Sequence, residues 1–175
     1  MNKFLTIIIP SYRSKYLVLS HIKNLYKKYK IIIVENSYDQ SLKEIIKKKY
    51  KNVDIFLKKN IGYGSAVNFA SKKVKTKFFF VMNPDAVIYK NTLKNLIKAA
   101  NNIKNFGAIG PISNKEKKKY KKKMIVKVKK IVSAAMLIQT KIFLKIKGYD
   151  ENIFLYYEDD DFFLKCKKLN LKLFL

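Results

Sequence analysis

The sequence predicts an α/β fold in which a mostly parallel sheet lies between two layers of helices. Short runs of β-branched and aromatic residues alternate with longer segments of helical periodicity, as in repeated strand–helix–strand units. The first four strand segments are apolar at nearly every position, as expected for parallel strands that helices cover on both faces. The chain has 175 residues, 49% of them hydrophobic, and can bury one sizeable core, so we expect a single domain over residues 1–175.

The predicted elements follow one order along the chain. Four strands are expected at residues 4–9, 31–34, 53–57 and 78–82. A helix over 92–103, a strand near 107–111 and a lysine-rich loop over 114–123 come next. The last predicted elements are strands at 124–128 and 131–138, a short helix at 141–146, a helix from about 158 to 169 and the start of a strand at 171–175.

Two amphipathic helices connect the first three strands. In the second helix, Ser41 and Glu44 have the spacing of a capping box. The apolar stripe of the first helix is made by Leu17, Ile22, Leu25 and Tyr26. Both segments are therefore predicted to be crossover helices that cover the sheet.

The charge of the chain is strongly basic, with 39 basic and 12 acidic residues and a formal net charge of +27. Such a surplus raises the possibility of nucleic-acid binding. Arg13 is the only arginine, however, and lysine cannot form the bidentate contacts that read guanine or clamp phosphate. The lysines are also spread over almost every segment, which disfavours a dedicated nucleic-acid surface. A basic face that contacts an anionic membrane surface remains an alternative.

The sequence also bears on the cellular compartment. The longest apolar runs, at residues 78–82 and 131–138, are much shorter than the roughly 20 residues that a membrane-spanning helix needs. Pro10 interrupts the first apolar run, and no small-residue cleavage site follows it, so we expect no secretory signal. Cys166 is the only cysteine, which excludes an internal disulfide. We therefore expect a cytoplasmic protein, either free or peripheral on the inner membrane face.

Candidate ligand-binding residues follow the first two strands, at the edge where open α/β sheets bind their ligands. Pro10, Ser11 and Tyr12 follow the first strand and place an aromatic ring where a nucleobase could stack. Glu35 follows the second strand, and its carboxylate could accept the N3 hydrogen of uracil or thymine. The alternative is that residues 36–39 only form a turn and cap the next helix.

A glycine-containing loop, Asn60-Ile61-Gly62-Tyr63-Gly64, follows the third strand. Glycines permit close approach of the backbone to a ligand, and the start of a helix favours negative charge, so phosphates are expected nearby. The spacing is not that of a dinucleotide fingerprint, and the sequence contains no phosphate-binding loop of the nucleoside triphosphatase kind.

The fourth strand is followed by Asn83, Pro84 and Asp85. Proline stiffens the turn and holds Asp85 at the end of a buried strand, where its carboxylate could bind Mg²⁺ or Mn²⁺ together with phosphate oxygens. A turn that binds no ligand is the alternative interpretation. The Asn-Pro-Asp sequence alone does not distinguish the two.

Four consecutive acidic residues, Glu158, Asp159, Asp160 and Asp161, precede the last predicted helix. Carboxylates in a first helical turn interact favourably with the helix dipole, but one or two would be enough for that effect. Placing four together costs electrostatic repulsion. The cluster therefore favours a role in metal binding or proton transfer.

In this order along the chain, the motifs resemble those of the inverting family 2 glycosyltransferases of GT-A fold, particularly the rhamnosyltransferase-like branch. The similarity covers nearly the whole chain. It is carried by IIIPSY at 7–12, VENS at 34–37, the loop at 60–68, NPD at 83–85, GYDE at 148–151 and YEDDD at 157–161. The resemblance implies a GT-A-type three-layer α/β/α sandwich with a Rossmann-like sheet.

The resemblance also implies roles for the site residues. Asp85 corresponds to the metal ligand of an Asp-x-Asp-like motif, with Asn83 in the weaker first position. Asp159 corresponds to the catalytic base, supported by Glu158 and Asp161. The donor-binding residues implied in the same way are Tyr12, Glu35 and Asn60 in the nucleobase and ribose pocket, together with Pro10, Gly62 and Asn68 in the same segments. Glu35 stands where relatives more often have aspartate.

The expected function is transfer of a sugar, such as rhamnose, from a nucleotide-diphosphate donor to a saccharide or lipid-linked acceptor in cell-surface polysaccharide synthesis. Relatives continue beyond the point that corresponds to Leu175, so we expect this domain to be C-terminally short. A truncated nucleotide-sugar-binding module, a basic nucleic-acid-binding protein and a nucleotidyltransferase are the alternatives. The glycosyltransferase hypothesis requires Asp85 and Asp159 to face one cleft at the carboxyl edge of the sheet.

Overall fold

In the computed structural model, the described residues are 2–114, 116, 120 and 125–175. They form eight strands and six helices. The strands are β1 (Leu5–Ser11), β2 (Lys30–Glu35), β3 (Val53–Leu57), β4 (Phe78–Met82), β5 (Phe106–Ile109), β6 (Lys127–Val128), β7 (Ala135–Gln139) and β8 (Lys172–Phe174). The helices are α1 (Lys15–Leu25), α2 (Gln40–Lys49), α3 (Tyr63–Ser71), α4 (Thr92–Asn102), α5 (Thr140–Lys145) and α6 (Glu158–Lys168).

The described strands form one sheet in the order β3-β2-β1-β4-β7-β5-β8-β6. The first four strands in this order are mutually parallel. Strand β7 runs antiparallel to both of its neighbours, β4 and β5, whereas β8 is parallel to β5 and β6 is antiparallel to β8. The sheet is therefore mostly parallel, as the unbroken apolar character of the first four strands predicted.

Hydrophobic clusters lie on both faces of the sheet. On one face, α1, α2 and α4 cover side chains that include Ile7, Ile33 and Phe80. On the other face, α3, α5 and α6 cover side chains that include Ile8, Val34 and Phe79. Successive strand residues alternate between the two clusters because side chains point to opposite faces of a strand. This arrangement confirms the predicted α/β/α sandwich.

The two predicted crossover helices form, but two details of the prediction were wrong. Leu17 is exposed rather than part of the buried stripe of α1, because Val18 and Ile22, one helical turn apart, form the face that contacts the sheet. Helix α2 is capped by Asp39, whose carboxylate accepts a hydrogen bond from the backbone N–H of Leu42 at 2.9 Å. The predicted capping box fails because Ser41 already lies inside the helix, as in the alternative that placed a cap at the end of residues 36–39.

The second half of the sheet also differs from the prediction. Strand β7 starts at Ala135, because residues 131–134 leave the strand direction and run along the carboxyl edge of the sheet. The predicted lysine-rich loop over residues 114–123 lies mostly outside the described residues. Position 124, at the start of the next predicted strand, also lies outside them, and the observed β6 covers only Lys127–Val128. The predicted helices at 141–146 and 158–169 and the final strand are present within one or two residues.

Candidate active site

The candidate site lies at the carboxyl edge of the parallel strands. Strands β1, β2 and β4 end at Ser11, Glu35 and Met82, so the residues that follow them lie at the same edge of the sheet. Pro10 is an exception among the predicted donor-binding residues. It is a buried residue of β1, paired with Val34, rather than part of the turn.

The loop after β4 is held in place by three contacts. The Asn83 N–H donates to the carbonyl of Ala134 at 2.8 Å, and the Asn83 carbonyl accepts from the N–H of Ala86 at 3.1 Å. A ring nitrogen of His21 lies 2.8 Å from the carbonyl oxygen of Pro84. The loop presents the exposed carboxylate of Asp85 and the side-chain oxygen of Asn83, which is buried and has no partner among the described residues. A carboxylate and an amide oxygen are ligands that suit Mg²⁺ or Mn²⁺.

Asp159, in the first turn of α6, is held on the other side of this loop. Its carboxylate accepts a hydrogen bond from the Ser133 hydroxyl at 2.7 Å and another from the Asp160 N–H at 2.9 Å. Ser133 is adjacent to Ala134, whose carbonyl binds the loop after β4. Residues 133–134 therefore connect the predicted base to the predicted metal-binding loop. The sequence did not indicate the contribution of Ser133, because nothing distinguishes it from an ordinary loop serine.

The other acidic residues at the start of α6 have different surroundings. Asp160 pairs with Lys130 at 2.7 Å, and Asp161 pairs with Lys165 at 2.7 Å, one helical turn further on. Lys165 also donates to the carbonyl of Gly148 at 3.1 Å. The contacts of Asp161 thus favour a role in holding α6 against the turn at Gly148 over the predicted role beside the base.

Glu158 points into the protein and is only 6% exposed. One of its carboxylate oxygens is buried and has no hydrogen-bond partner among the described residues. Burial raises the pKa of Glu158, and the neighbouring charge of Asp159 raises it further. Glu158 therefore lies beside the candidate base as a desolvated carboxyl group that lacks a partner.

Tyr63, the first residue of α3, lies between the two predicted functional carboxylates. Its hydroxyl is buried without a partner among the described residues. Burial raises the pKa of Tyr63 well above its usual range, and the charges of Glu158, Asp159 and Asp85 act in the same direction. All three carboxylates are thus near the same phenol, so Asp85 and Asp159 share one edge of the sheet, as the glycosyltransferase hypothesis requires.

The predicted nucleobase side is built differently from the expectation. Both carboxylate oxygens of Glu35 accept hydrogen bonds from its own loop, from the hydroxyl and N–H of Ser37 at 2.6 and 2.9 Å and from the N–H of Asp39 at 3.0 Å. Three of about four acceptor positions are therefore used within the protein. These contacts favour a role for Glu35 in shaping this loop. The ring of Tyr12 is 47% exposed, with the Arg13 guanidinium 5.3 Å from its centre, and is available for stacking.

The glycines at the start of α3 permit contact with the protein's own chain. Gly62 has a φ of +83°, and a Cβ atom at this position would collide with the carbonyl oxygen of Phe154. The next N–H, that of Tyr63, donates to this same carbonyl at 3.2 Å. The neighbour that the sequence analysis expected here was a phosphate, but the atoms closest to Gly62 belong to residue 154. Asn60 is exposed, and its side-chain oxygen makes a long contact of 3.4 Å with the Gly62 N–H.

Asn68, predicted to contact the donor, joins two distant segments of the protein. Its side-chain amide donates to the carbonyl of Tyr149 at 2.9 Å and to the carboxylate of Glu151 at 3.1 Å. Its side-chain oxygen accepts from the N–H of Tyr149 at 3.0 Å. Because Asn68 is 4% exposed and both ends of its amide are used, its contacts favour an internal role over contact with the donor.

Most of the buried polar side-chain atoms without a partner among the described residues lie around this edge. Buried polar groups are nearly always hydrogen-bonded, so such a concentration indicates a place where water, an ion or a ligand completes the bonding. The group includes Ser11, Asn36, Tyr63, Asn83, Tyr149 and Glu158. Within the described part of the chain, no three acidic, histidine or cysteine side chains are arranged to hold a metal ion. A metal bound at Asn83 and Asp85 would therefore need further oxygen ligands from its substrate or from water.

Comparison with known proteins identifies the family. The family model for glycosyl transferase family 2 matches residues 6–168. The chain belongs to this family. A curated relative from Rickettsia bellii, an uncharacterized glycosyltransferase, is 32% identical over 110 residues, which is 59% of this chain and 16% of the relative. An uncharacterized glycosyltransferase of Rickettsia typhi is 28% identical over 108 residues, 59% of this chain and 34% of the relative.

Solved structures confirm the GT-A fold of this family 2 chain. A mannosyltransferase from Pyrobaculum calidifontis, in complex with GDP-Man and Mn²⁺, superposes with a TM-score of 0.78 at 14% identity over 97% of this chain and 53% of that structure. A structure of S. aureus TarS residues 1–349 gives a TM-score of 0.70 at 18% identity over 97% of this chain and 57% of that structure. At these identities the likeness establishes the fold alone.

The family 2 chain spans only part of the proteins that it matches. The matched regions are 16–34% of the two Rickettsia relatives and 53–57% of the two solved structures. Among the described residues, every helix is too short or too polar to traverse a lipid bilayer.

Proposed function

We propose that this chain contains the donor-binding and catalytic core of an inverting, metal-dependent glycosyltransferase. The observation that carries the proposal is the placement of Asp85 and Asp159 on one edge of the sheet, on loops that residues 133–134 connect. Membership of glycosyl transferase family 2 supports the class of reaction. The Pyrobaculum mannosyltransferase, which has the same fold, was determined with a nucleotide sugar and a divalent metal bound.

In the proposed reaction, Asp159 is the general base. Its carboxylate removes the proton from the acceptor hydroxyl while that oxygen attacks the anomeric carbon from the face opposite the departing nucleotide, which inverts the configuration. The hydrogen bond from Ser133 fixes the orientation of this carboxylate. An aspartate with an ordinary pKa of about 3.9 is ionised at neutral pH and needs no further activation to accept a proton.

The proposed metal is Mg²⁺ or Mn²⁺. Asp85 and the unpaired oxygen of Asn83 would hold it together with the diphosphate of the donor. A divalent metal in this position supplies positive charge that stabilises the departing nucleoside diphosphate. The role of the chain is to hold Asp85 and Asn83 in a loop whose backbone is fixed by Ala134 and His21.

The proposed acceptor is a saccharide or a lipid-linked saccharide, with a donor sugar such as rhamnose and a role in cell-surface polysaccharide synthesis. Four consecutive large side chains, Phe154, Leu155, Tyr156 and Tyr157, are 49–74% exposed immediately before the acidic residues of α6. A concentration of exposed apolar and aromatic surface commonly marks an interaction site. This segment is therefore a suitable surface for the ring of an acceptor sugar or for its lipid.

Two variants test the mechanism. Asp85→Ala and Asp159→Asn should both abolish transfer to a saccharide or lipid-linked acceptor while leaving the thermal unfolding of the protein unchanged. Calorimetric titration with nucleotide sugars in Mg²⁺ or Mn²⁺ should show weaker donor binding for Asp85→Ala but not for Asp159→Asn. Full activity in either variant would disprove the mechanism. Donor binding by the wild type without any transfer or hydrolysis would identify the chain as a non-catalytic nucleotide-sugar-binding module.

A further inference from the structure

Two buried polar groups in the candidate site have no partner and are not explained by the roles assigned so far. The hydroxyl of Tyr63 and one carboxylate oxygen of Glu158 are both inaccessible and both lack a hydrogen bond within the described part of the protein. Leaving such groups unpaired costs about 1–3 kcal/mol each. Two unpaired groups on adjacent helices indicate that a ligand, or water in its place, completes their bonding.

The first turns of α3 and α6 bring these two groups together. Gly64 lies between the helices, and a Cβ atom added there would be 3.4 Å from the Cβ of Glu158 and 3.1 Å from the Cβ of Tyr149. The absence of a side chain at Gly64 therefore allows the two helix starts to approach closely. The carboxyl group of Glu158 is near enough to Tyr63 to influence its ionisation.

The position of Tyr63 between Asp85 and Asp159 indicates which part of a substrate would meet this pair. In the proposed reaction the donor diphosphate lies by Asp85 and the acceptor hydroxyl lies by Asp159. The sugar that is transferred must lie between them. The charges of both aspartates act on the Tyr63 hydroxyl, so this hydroxyl lies in the same interval.

We propose that Tyr63 and Glu158 together bind hydroxyl groups of the sugar that is transferred, and so determine which donor sugar the site accepts. This inference rests on the proposed function. The phenol is protonated at neutral pH and donates a hydrogen bond, whereas the carboxyl oxygen of Glu158 accepts one, so the pair suits a hydroxyl group, which does both. The ligand class is the polyhydroxylated sugar of a nucleotide sugar, as distinct from its phosphates or base.

Tyr63→Phe is the most informative variant because it removes only the hydroxyl oxygen. We would titrate the wild type and the variant, in Mg²⁺, with UDP, GDP and dTDP and with UDP-glucose, GDP-mannose and dTDP-rhamnose. For the donor that binds, the ratio of the dissociation constant of the nucleotide sugar to that of its nucleoside diphosphate should increase about 3- to 10-fold in the variant. The dissociation constant of the nucleoside diphosphate itself should not change.

Glu158→Gln should increase the same ratio by about 10-fold, because a hydrogen bond to a charged acceptor is stronger than one to a neutral acceptor. If both side chains bind the same sugar, the effects in the double variant should be smaller than the product of the single effects. Tyr29→Phe is the matched control. Tyr29 is also a partly buried tyrosine, but it precedes β2 at the opposite edge of the sheet, so its loss should leave both dissociation constants unchanged.

The outcomes separate the inference from the proposed function. An unchanged ratio in Tyr63→Phe, with donor binding intact, would overturn the inference and leave the glycosyltransferase proposal standing. A large loss of nucleoside diphosphate binding in Tyr63→Phe would also overturn it, because the phenol would then act on the phosphate or base. If the wild type binds none of these nucleotides, the proposed function fails and the inference fails with it. Thermal unfolding of Tyr63→Phe at or above the wild-type temperature would exclude a folding defect, since the lost oxygen has no partner.

Discussion

Gly62→Ala should destabilise the protein at the start of α3. Gly62 has a φ of +83°, which costs an alanine about 1–2 kcal/mol. The added Cβ atom would also displace the carbonyl of Phe154 and break its 3.2 Å hydrogen bond to Tyr63, at a cost of about 0.5–1.5 kcal/mol. The sum is about 1.5–3.5 kcal/mol, or a fall of roughly 3–14 °C in melting temperature for a protein of this size.

Gly64→Ala is the matched control for this prediction, two residues along the same helix. Its backbone has an ordinary helical conformation, and an alanine there gains up to about 1 kcal/mol of helix propensity. The added Cβ atom would lie 3.1 Å from Tyr149, a tight contact that offsets part of this gain. Urea unfolding of both variants should therefore show a much smaller change for Gly64→Ala. A loss below about 1 kcal/mol in Gly62→Ala, or an equal loss in both variants, would refute the reasoning.

Three further predictions concern stability and reactivity. Glu158→Gln should be more stable than the wild type at pH 7, because burial raises the pKa of Glu158; the difference, measured by urea unfolding against pH, should disappear below its ordinary pKa of 4.5 and grow as the pH rises through the raised value, with Asp159, Tyr63 and Tyr149 as the ionisable groups that face it. Asp39→Ala should cost about 0.5–2 kcal/mol of unfolding free energy through loss of the α2 cap, and a cost no larger than that of Ser41→Ala would contradict the observed cap. Cys166 is buried, which raises its thiol pKa to about 12, so a thiol reagent at pH 8 should label it only after unfolding, and rapid labelling of the native protein would disprove the burial.

The fold could be predicted because its main signals are local. The apolar runs of β1, β2 and β4 are typical of strands buried on both faces, and their alternation with helical segments leaves few arrangements other than a parallel sheet. The rule that ligands bind at the carboxyl edge of such a sheet then placed Asp85 in the site. Asp159 could be added only through the resemblance to a family, since an acidic helix start has an ordinary structural explanation.

The contacts that surround these carboxylates could not be predicted. Asn68 and Tyr149 are 81 positions apart, and nothing in the sequence near either residue indicates the other. Glu35 looked free to bind a base, but the N–H groups of its own loop lie closer to its carboxylate than any ligand would. The cap of α2 was misplaced because Asp39 and Ser41 are both suitable cap residues. Which of them caps the helix depends on where the chain leaves β2.

The strand order has a consequence for synthesis of the protein. Strand β7 lies between β4 and β5 in the sheet, although it follows both in the sequence. About 50 residues separate the end of β4 from the start of β7, which a ribosome translating 5–20 residues per second takes roughly 3–10 s to produce. During that interval the nascent chain carries the phenylalanine-rich β4 as an uncovered sheet edge, a template for pairing with other chains. A chaperone that shields this edge until β7 emerges would protect the growing chain from aggregation.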